Sequence, residues 1–281
     1  MDGYTITTAE KTGLEQITEC FNLAFSDYPV KTELTVEQNR RRLERLGVDY
    51  SLCACAFYGE ELVGFILCAA GEHCGVRAAY DAATGVVPAH RGRGLFKQML
   101  GLCRERLAQT GTDVFYTEAL CENTKALSLY ESNGFVRRRE LVWLTCEKAP
   151  QADKNTVQVK SVPVPQFDLS ACNGLDLFTP SFENRTQALE NGADGLYAVY
   201  DGQEHINALC IHDAAGVIYR LGARPEAVNR LPALAAGVYA RTGAVKLSNI
   251  DASDTRLLKM LADAGFKTFA RQYELISQKL S

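Results

Sequence analysis

Arg91-Gly92-Arg93-Gly94 sets two guanidiniums and two glycines between an apolar run and an amphipathic one. Before it, Tyr80 to Val87 reads as a strand; after it, Leu95, Met99, Leu102 and Cys103 recur at helical spacing. A strand that turns through glycines into a helix start leaves several backbone N–H groups unpaired and pointing one way. With the helix dipole behind them and arginines beside them, those amides suit an anion, most naturally a phosphate. A second cluster lies further on. Glu118 stands near the end of the strand-like "DVFYTEAL", and Tyr130 sits on the short helix "NTKALSLYESNGF", which Asn123 caps and Gly134 ends.

Periodicity and punctuation mark the surrounding elements. Leu14, Ile17, Phe21, Ala24 and Phe25 mark a helix that Pro29 stops. Thr35 stands three residues before Gln38, the pattern of a capping box, and Gly47 ends that second helix. "YSLCACAFYGEELVGFILCAA" predicts two strands joined at Gly59-Glu60. The helix after the glycine turn runs to about Gly111, and "VRRRELVWLTCE" reads as a strand with Arg137, Arg138 and Arg139 on a solvated face.

The chain has 281 residues, 47% hydrophobic and 23% charged, which describes a globular protein of one large or two ordinary domains. A formal net charge of -4 argues against a nucleic-acid partner, which would need a basic face. No apolar run is long enough to span a membrane, and the first residues lack the pattern of a secretory signal. Ten cysteines lie mostly inside apolar segments, with neither CxxC pairs nor zinc spacing. They are expected to be reduced, buried thiols in a cytoplasmic protein that binds no metal.

"KAPQADKNTVQ" has no apolar anchors and is expected to be a linker over 149–159. The chain beyond this linker partly repeats the chain before it. "AFYGEELVGFILC" (56–68) matches "AVYDGQEHINALC" (198–210), and "NTKALSLYESNGF" (123–135) matches "DTRLLKMLADAGF" (254–266) in the same order. The second copy has no RGxG, places Pro225 where donors would be needed, and has Leu261 in place of Tyr130. One half keeps a site, and the other is expected to be scaffold.

These motifs resemble the GCN5-related N-acetyltransferase superfamily. Its phosphate-loop pattern, Arg/Gln-x-x-Gly-x-Gly/Ala, reads here Arg91-Gly92-Arg93-Gly94-Leu95-Phe96. Its second pattern is matched by Asn123, Ala126, Tyr130, Gly134 and Phe135. The loop's last small residue is replaced by Phe96, whose side chain must turn away from the cofactor. The resemblance implies an α/β fold of tandem domains, each a mostly antiparallel mixed β-sheet flanked by helices. The domains are expected over 1–148 and 160–281, the second degenerate.

It further implies acetyl transfer from acetyl-CoA to a primary amine of a small molecule or peptide, by direct attack. The pyrophosphate would sit on the N–H groups of residues 92 to 96, with Arg91 and Arg93 adding charge. The pantetheine arm would pair along Val86 and Val87, and an amide near Val86 would stabilise the oxyanion. Asn123 lies near the same arm, and its cap role is compatible with that. Tyr130 is the implied general acid, against a plain core aromatic. Glu118 is either the base or a structural carboxylate. Asp27, Tyr28 and Glu33 would wall the acceptor site, though each also suits a cap or turn. His73 and His90 are expected at the surface, and Cys121 packed. A non-catalytic acyl-CoA-binding or sensor module is the alternative function, and a homodimer stays open.

Overall fold

The structure is a computed structural model that describes residues 3–28, 32–152, 159–202 and 205–278. The first half of the chain runs β1 (Tyr4–Thr8), α1 (Leu14–Ala24), α2 (Val36–Leu46), β2 (Ala54–Tyr58), β3 (Glu61–His73), β4 (Val76–Val86), α3 (Leu95–Gln109), β5 (Val114–Leu120), α4 (Thr124–Ser132) and β6 (Val136–Cys146). The second half runs β7 (Val159–Pro163), α5 (Thr186–Asn191), β8 (Leu196–Asp201), β9 (Ala208–Asp213), β10 (Val217–Ala223), α6 (Leu231–Thr242), β11 (Val245–Asp251), α7 (Thr255–Asp263) and β12 (Lys267–Ser277). The expected linker falls largely on 153–158, and the expected stop at Pro29 also lies outside the described residues.

Two compact units divide the chain, and they do not follow chain order. One comprises Met1–Glu118, Ser128–Val136 and Leu275–Ser281; the other comprises Ala119–Leu127 and Arg137–Glu274. β6 continues the first repeat in sequence, but it pairs antiparallel with β11 in the second unit, Val245 opposite Cys146. The end of β12 belongs to the first unit, where Arg104 Nη2 donates to Ser277 Oγ at 3.1 Å.

In the first unit β1, β2, β3 and β4 are successive antiparallel neighbours, and β5 joins β4 in parallel. One face carries Phe65, stacked on Phe21 of α1 at 6.1 Å. The other lies under α3, where a Cβ on Gly64 would come within 3.4 Å of Met99. Phe65, Ile66, Leu67, Met99, Phe115 and Phe135 are almost fully buried, each side chain stabilising the fold by about 1.5–3 kcal/mol. Local signals agree with this packing. Thr35 and Gln38 make the reciprocal capping box of α2, at 3.2 and 2.9 Å, and Gly47 leaves the helix at φ 72°.

The second unit repeats the topology: β7, β8, β9 and β10 are antiparallel neighbours, and β11 lies parallel to β10. Each third-to-fourth strand pair carries a register shift at one place, before Ala83 in β4 and before Arg220 in β10. That shared bulge fixes the correspondence between copies. Gly64, opposite Val86, answers to Ala208, opposite Ala223. The hairpin match read from sequence sets Gly64 against Ile206 instead and is out of register.

Two expectations are corrected by burial. Arg137 and Arg138 of the arginine run are exposed as expected, but Arg139 is largely buried and bonds Glu274 and Asp251, and Arg138 also reaches Glu274. His73 is buried, its ring edge-on to Tyr116 at 5.1 Å. The ten cysteines are all free thiols, most of them buried. Among the described residues no helix is long and apolar enough to cross a membrane, and no group of His, Cys, Asp and Glu is arranged to hold a metal ion.

Candidate active site

The glycine turn forms where the sequence requires it. Gly92 and Gly94 adopt φ 74° and 70°, left-handed backbone that side chains rarely accept, and α3 begins directly after Gly94. Arg91 to Gly94 are exposed, so the amides that open α3 face solvent. Arg91 is not a loose cation. Its Nε donates to Val86 O at 2.9 Å and its Nη2 to Ala24 O at 2.8 Å. The same guanidinium forks onto Asp27 at 2.6 and 2.9 Å. Arg93 lies over the Tyr4 ring at 5.8 Å. Leu95 and Phe96 turn inward, and the Phe96 ring meets Tyr130 edge-on at 5.3 Å. Where the family pattern has a small residue, this chain puts a ring into the core and leaves the amide at the turn.

β4 and β5 pair from Ala78–Val114 to Asp81–Thr117, and there the pairing stops. Beyond that point β3 is the only strand paired with β4 among the described residues. Val87 N donates to Val63 O at 2.9 Å, so Val86, opposite Gly64, is a non-hydrogen-bonded position. The N–H and C=O of Val86 therefore point off the far edge, into the parting between β4 and β5. Arg91 takes the carbonyl and leaves the N–H. At Val87 the N–H goes to β3 and the carbonyl accepts from His90 N, so of Val86 and Val87 only Val86 turns its N–H to the far edge.

Asp81 stands where the strands part, and sequence reading missed it. The bulge at Ala82 re-aims the strand, and Arg42 from α2 donates Nη2 to the Ala82 carbonyl. Asp81 Oδ2 accepts from Tyr130 Oη at 2.8 Å and from Thr84 Oγ1 at 2.6 Å. Asp81 is 4% exposed and Tyr130 6%. Burial lifts the Asp81 carboxyl to about 6, against the pull of the Thr84 and Tyr130 hydroxyls and of Arg42. Burial, and then the Asp81 charge, hold the Tyr130 phenol well above its ordinary value. Asp81 Oδ1 and Arg42 Nη1 are buried without a hydrogen-bond partner. Two such atoms of opposite charge beside the bulge fit a polar ligand group.

Glu118 comes directly after Thr117 and so points to the opposite sheet face from Asp81. There Tyr80 donates its hydroxyl to Glu118 Oε2. Tyr130 and Glu118 thus address the parting of the strands from its two sides rather than touching each other. Asn123 caps α4, its Oδ1 accepting from Ala126 N at 3.1 Å. Tyr28 and Glu33 line a cavity of about 830 Å³ with Glu15, Glu19 and Asn22, and neither Asp27 nor Glu118 borders it. Asp27 instead faces Arg91. Cys121 is half-buried, its thiol pushed up by burial.

The second copy shows what the fold does without these groups. The shared bulge and the parallel register set Ile218 where Asp81 stands and Leu247 where Thr117 stands. With Leu261 at the place of Tyr130, the three are 1%, 0% and 1% exposed and belong to one apolar cluster. The edge is closed as well. Ala223, the counterpart of Val86, donates its N–H to Leu175 O at 2.8 Å, beside an isolated bridge between Asp176 and Gly222.

Residues 14–135 match the Acetyltransferase (GNAT) family. An N-alpha-acetyltransferase MAK3 of Arabidopsis thaliana is 32% identical over 90 residues, 32% of this chain and 47% of that protein. An N-alpha-acetyltransferase 30 of Saccharomyces cerevisiae is 30% identical over 80 residues, 28% of this chain and 46% of that protein. The chain thus spans about half the length of these relatives. In fold, a GCN5-related N-acetyltransferase from Sphaerobacter thermophilus superposes with TM-score 0.70 at 18% identity, over 99% of this chain and 96% of that one. A tandem GNAT protein from the clavulanic acid biosynthesis pathway superposes with TM-score 0.72 at 14% identity, over 98% and 97%. Residues 14–135 are thus similar to the Acetyltransferase (GNAT) family, and the chain as a whole has the fold of a tandem GNAT protein.

Proposed function

We propose that the first half transfers an acetyl group from acetyl-CoA to a primary amine, and that the second half is scaffold. One observation carries the reading: the unpaired Val86 N–H, the open turn before α3 and the buried Tyr130–Asp81 pair converge where β4 and β5 part, and the second copy has lost all of them. The amides of residues 92 to 96 would hold the pyrophosphate, with Arg93 adding charge. The Val86 N–H would pair with the amide-rich arm and polarise the thioester carbonyl.

An alkyl amine is mostly protonated at neutral pH, with a pKa near ~10, so a base must take a proton before attack. Glu118 would do that from one sheet face, and Tyr130 on the other would protonate the departing thiolate. The relatives' description as N-alpha-acetyltransferases favours a peptide α-amine as acceptor. The test is a screen of peptides and small primary amines with acetyl-CoA, reading thiol release and product mass. Acetylated product with wild type and at least ~100-fold less with Tyr130→Phe supports the assignment. Binding of acetyl-CoA with no acceptor turned over would favour a non-catalytic acyl-CoA-binding module.

A further inference from the structure

We propose that Asp81 is the positioning residue of Tyr130 and the store of the proton that the phenol gives away. This role rests on the acyl-transfer reading and falls to a residue that the motifs leave unmarked.

Tyr130 Oη donates to Asp81 Oδ2 at 2.8 Å in an interior where both side chains are almost wholly buried. If Tyr130 lost its proton while Asp81 was ionised, two negative charges would face each other across that distance without water between them. Such a state is strongly disfavoured in a desolvated site. Tyr130 can therefore give up its proton only when Asp81 carries one to replace it.

As the C–S bond of the tetrahedral intermediate breaks, the Tyr130 Oη–H bond breaks and the S–H bond forms. The carboxyl O–H bond of Asp81 breaks and a new Oη–H bond forms. Tyr130 ends neutral and Asp81 ends as a carboxylate, which solvent reprotonates before the next turnover. The proton that Glu118 takes from the amine leaves separately to solvent.

The neighbours of Asp81 are arranged for a group that must change charge. Thr84 on its own strand donates to Oδ2, and Thr117 on β5 stands beside the phenol. Arg42 on α2 is the cation that acts on it, while Cys68 on β3, beside Cys103 on α3, completes the ionisable surroundings. The Ala83 backbone N–H also favours the carboxylate, while Oδ1 has no donor in bonding geometry. A purely structural carboxylate would gain from having both oxygens bonded. The second copy supplies the control, since Ile218, Leu247 and Leu261 fill the same three places with apolar side chains and the fold persists. Burying Asp81 is not a requirement of the architecture.

The experiment uses the full chain and two readouts. In the first, without substrate, tyrosine labelled with ¹³C at Cζ is followed by NMR, with Tyr130→Phe assigning the resonance. Asp81→Asn keeps an acceptor for the phenol but removes the charge, and the Tyr130 ionisation should fall by about one pH unit or more. In the second, thiol release from acetyl-CoA is measured against pH with an acceptor from the screen. Wild-type kcat should decline on the alkaline side as Asp81 ionises. Asp81→Asn should lower kcat at the optimum by about tenfold or more and lose that decline. Thr84→Val removes a bond that favours the carboxylate and should move the decline to higher pH, which keeps the test available if Asp81→Asn does not fold. An unchanged Tyr130 resonance titration, or a uniform loss of rate with the pH profile intact, overturns the proposal. A wild-type chain that turns over no acceptor sinks the acyl-transfer reading instead, and the NMR readout still decides whether the pair is coupled.

Discussion

The guanidinium of Arg91 clasps Asp27 with two bonds, at 2.6 and 2.9 Å, while its remaining donors hold the ends of α1 and β4. The first residue of the phosphate-loop pattern is therefore a strut for the loop, and Asp27 is its counter-charge. Both side chains are about half exposed, so the pair itself should add little stability, roughly 0.2–1 kcal/mol. Asp27→Asn should accordingly shift Tm by only a few degrees. Arg91→Lys should cost more than Asp27→Asn, because one ammonium cannot reproduce the planar fork and reach both carbonyls. Thermal melts of the two variants check the order, and equal losses would return Arg91 to the role of a simple cation.

Acetyl-CoA should raise the melting temperature of the wild-type chain, because a ligand that binds only the native state stabilises it by mass action. Gly94→Asp should abolish the shift. The substitution strains a residue at φ 70° and sets a carboxylate against the pyrophosphate. Val86→Pro separates the second contact from the first. It removes an N–H that β3 does not use, so the sheet should survive while acetyl-CoA affinity drops. An unchanged affinity in Val86→Pro would place the arm elsewhere.

Calorimetric titration should give a single acetyl-CoA site per chain. Leu175 already occupies the edge of β10 that answers to Val86, and Ile218, Leu247 and Leu261 fill the second parting with hydrocarbon. Two equivalent sites per chain would refute the view of the second half as scaffold.

Tyr130→Phe keeps the ring on Phe96 and Phe135 but removes the proton donor, so turnover should fall by about 10²–10⁴-fold with acetyl-CoA affinity nearly unchanged. Glu118→Gln should weaken the rate most at lower pH, where the amine most needs deprotonating. Steady-state kinetics with an identified acceptor measure both, and near-full activity in Tyr130→Phe would make the phenol structural.

Asp81 also predicts how stability responds to pH. Its carboxyl is raised from an ordinary value of 3.8 to about 6 by burial, so between those values the folded chain binds more protons than the unfolded one. The contribution of this group to stability is therefore highest below about pH 4, falls through the window up to about 6, and stays low above it. In Asp81→Asn that component of the slope should be missing, and stability near pH 7 should exceed wild type by up to the order of 3 kcal/mol, less whatever the altered hydrogen bonds remove. Denaturant melts at pH 4.5 and 7 on both chains measure the difference, and identical slopes would mean that Asp81 is not the group responsible.

Much of this molecule is legible in one dimension because its signals are local. The capping box at Thr35 and Gln38, the turn at Gly59, the strand–glycine–helix passage at Arg91 to Leu95 and the cap at Asn123 each depend on residues a few positions apart. Backbone sterics and periodicity decide them before any tertiary contact forms. The repeat is equally visible, and so is the loss of RGxG and tyrosine from its second copy.

What the tertiary structure alone decided are relations between distant positions. Asp81 reads in sequence as one polar residue inside a strand, and only the bulge at Ala82 and the packing of α4 bring it to Tyr130. The hairpin match slips because the sequence alignment carries no strand pairing, and the bulge alone fixes which residues correspond. Arg91 looks like a free cation until α1 folds back to deliver Asp27 and the Ala24 carbonyl. Arg139 belongs to a run that resembles a solvated face, yet it is drawn inward because Glu274 is buried and needs its charge. That β6 belongs to the second unit leaves no mark on the strand, since strand pairing uses backbone groups that every residue shares. Local patterning along the chain specifies the elements and the loop. Register, burial and long-range pairing decided which of their side chains meet.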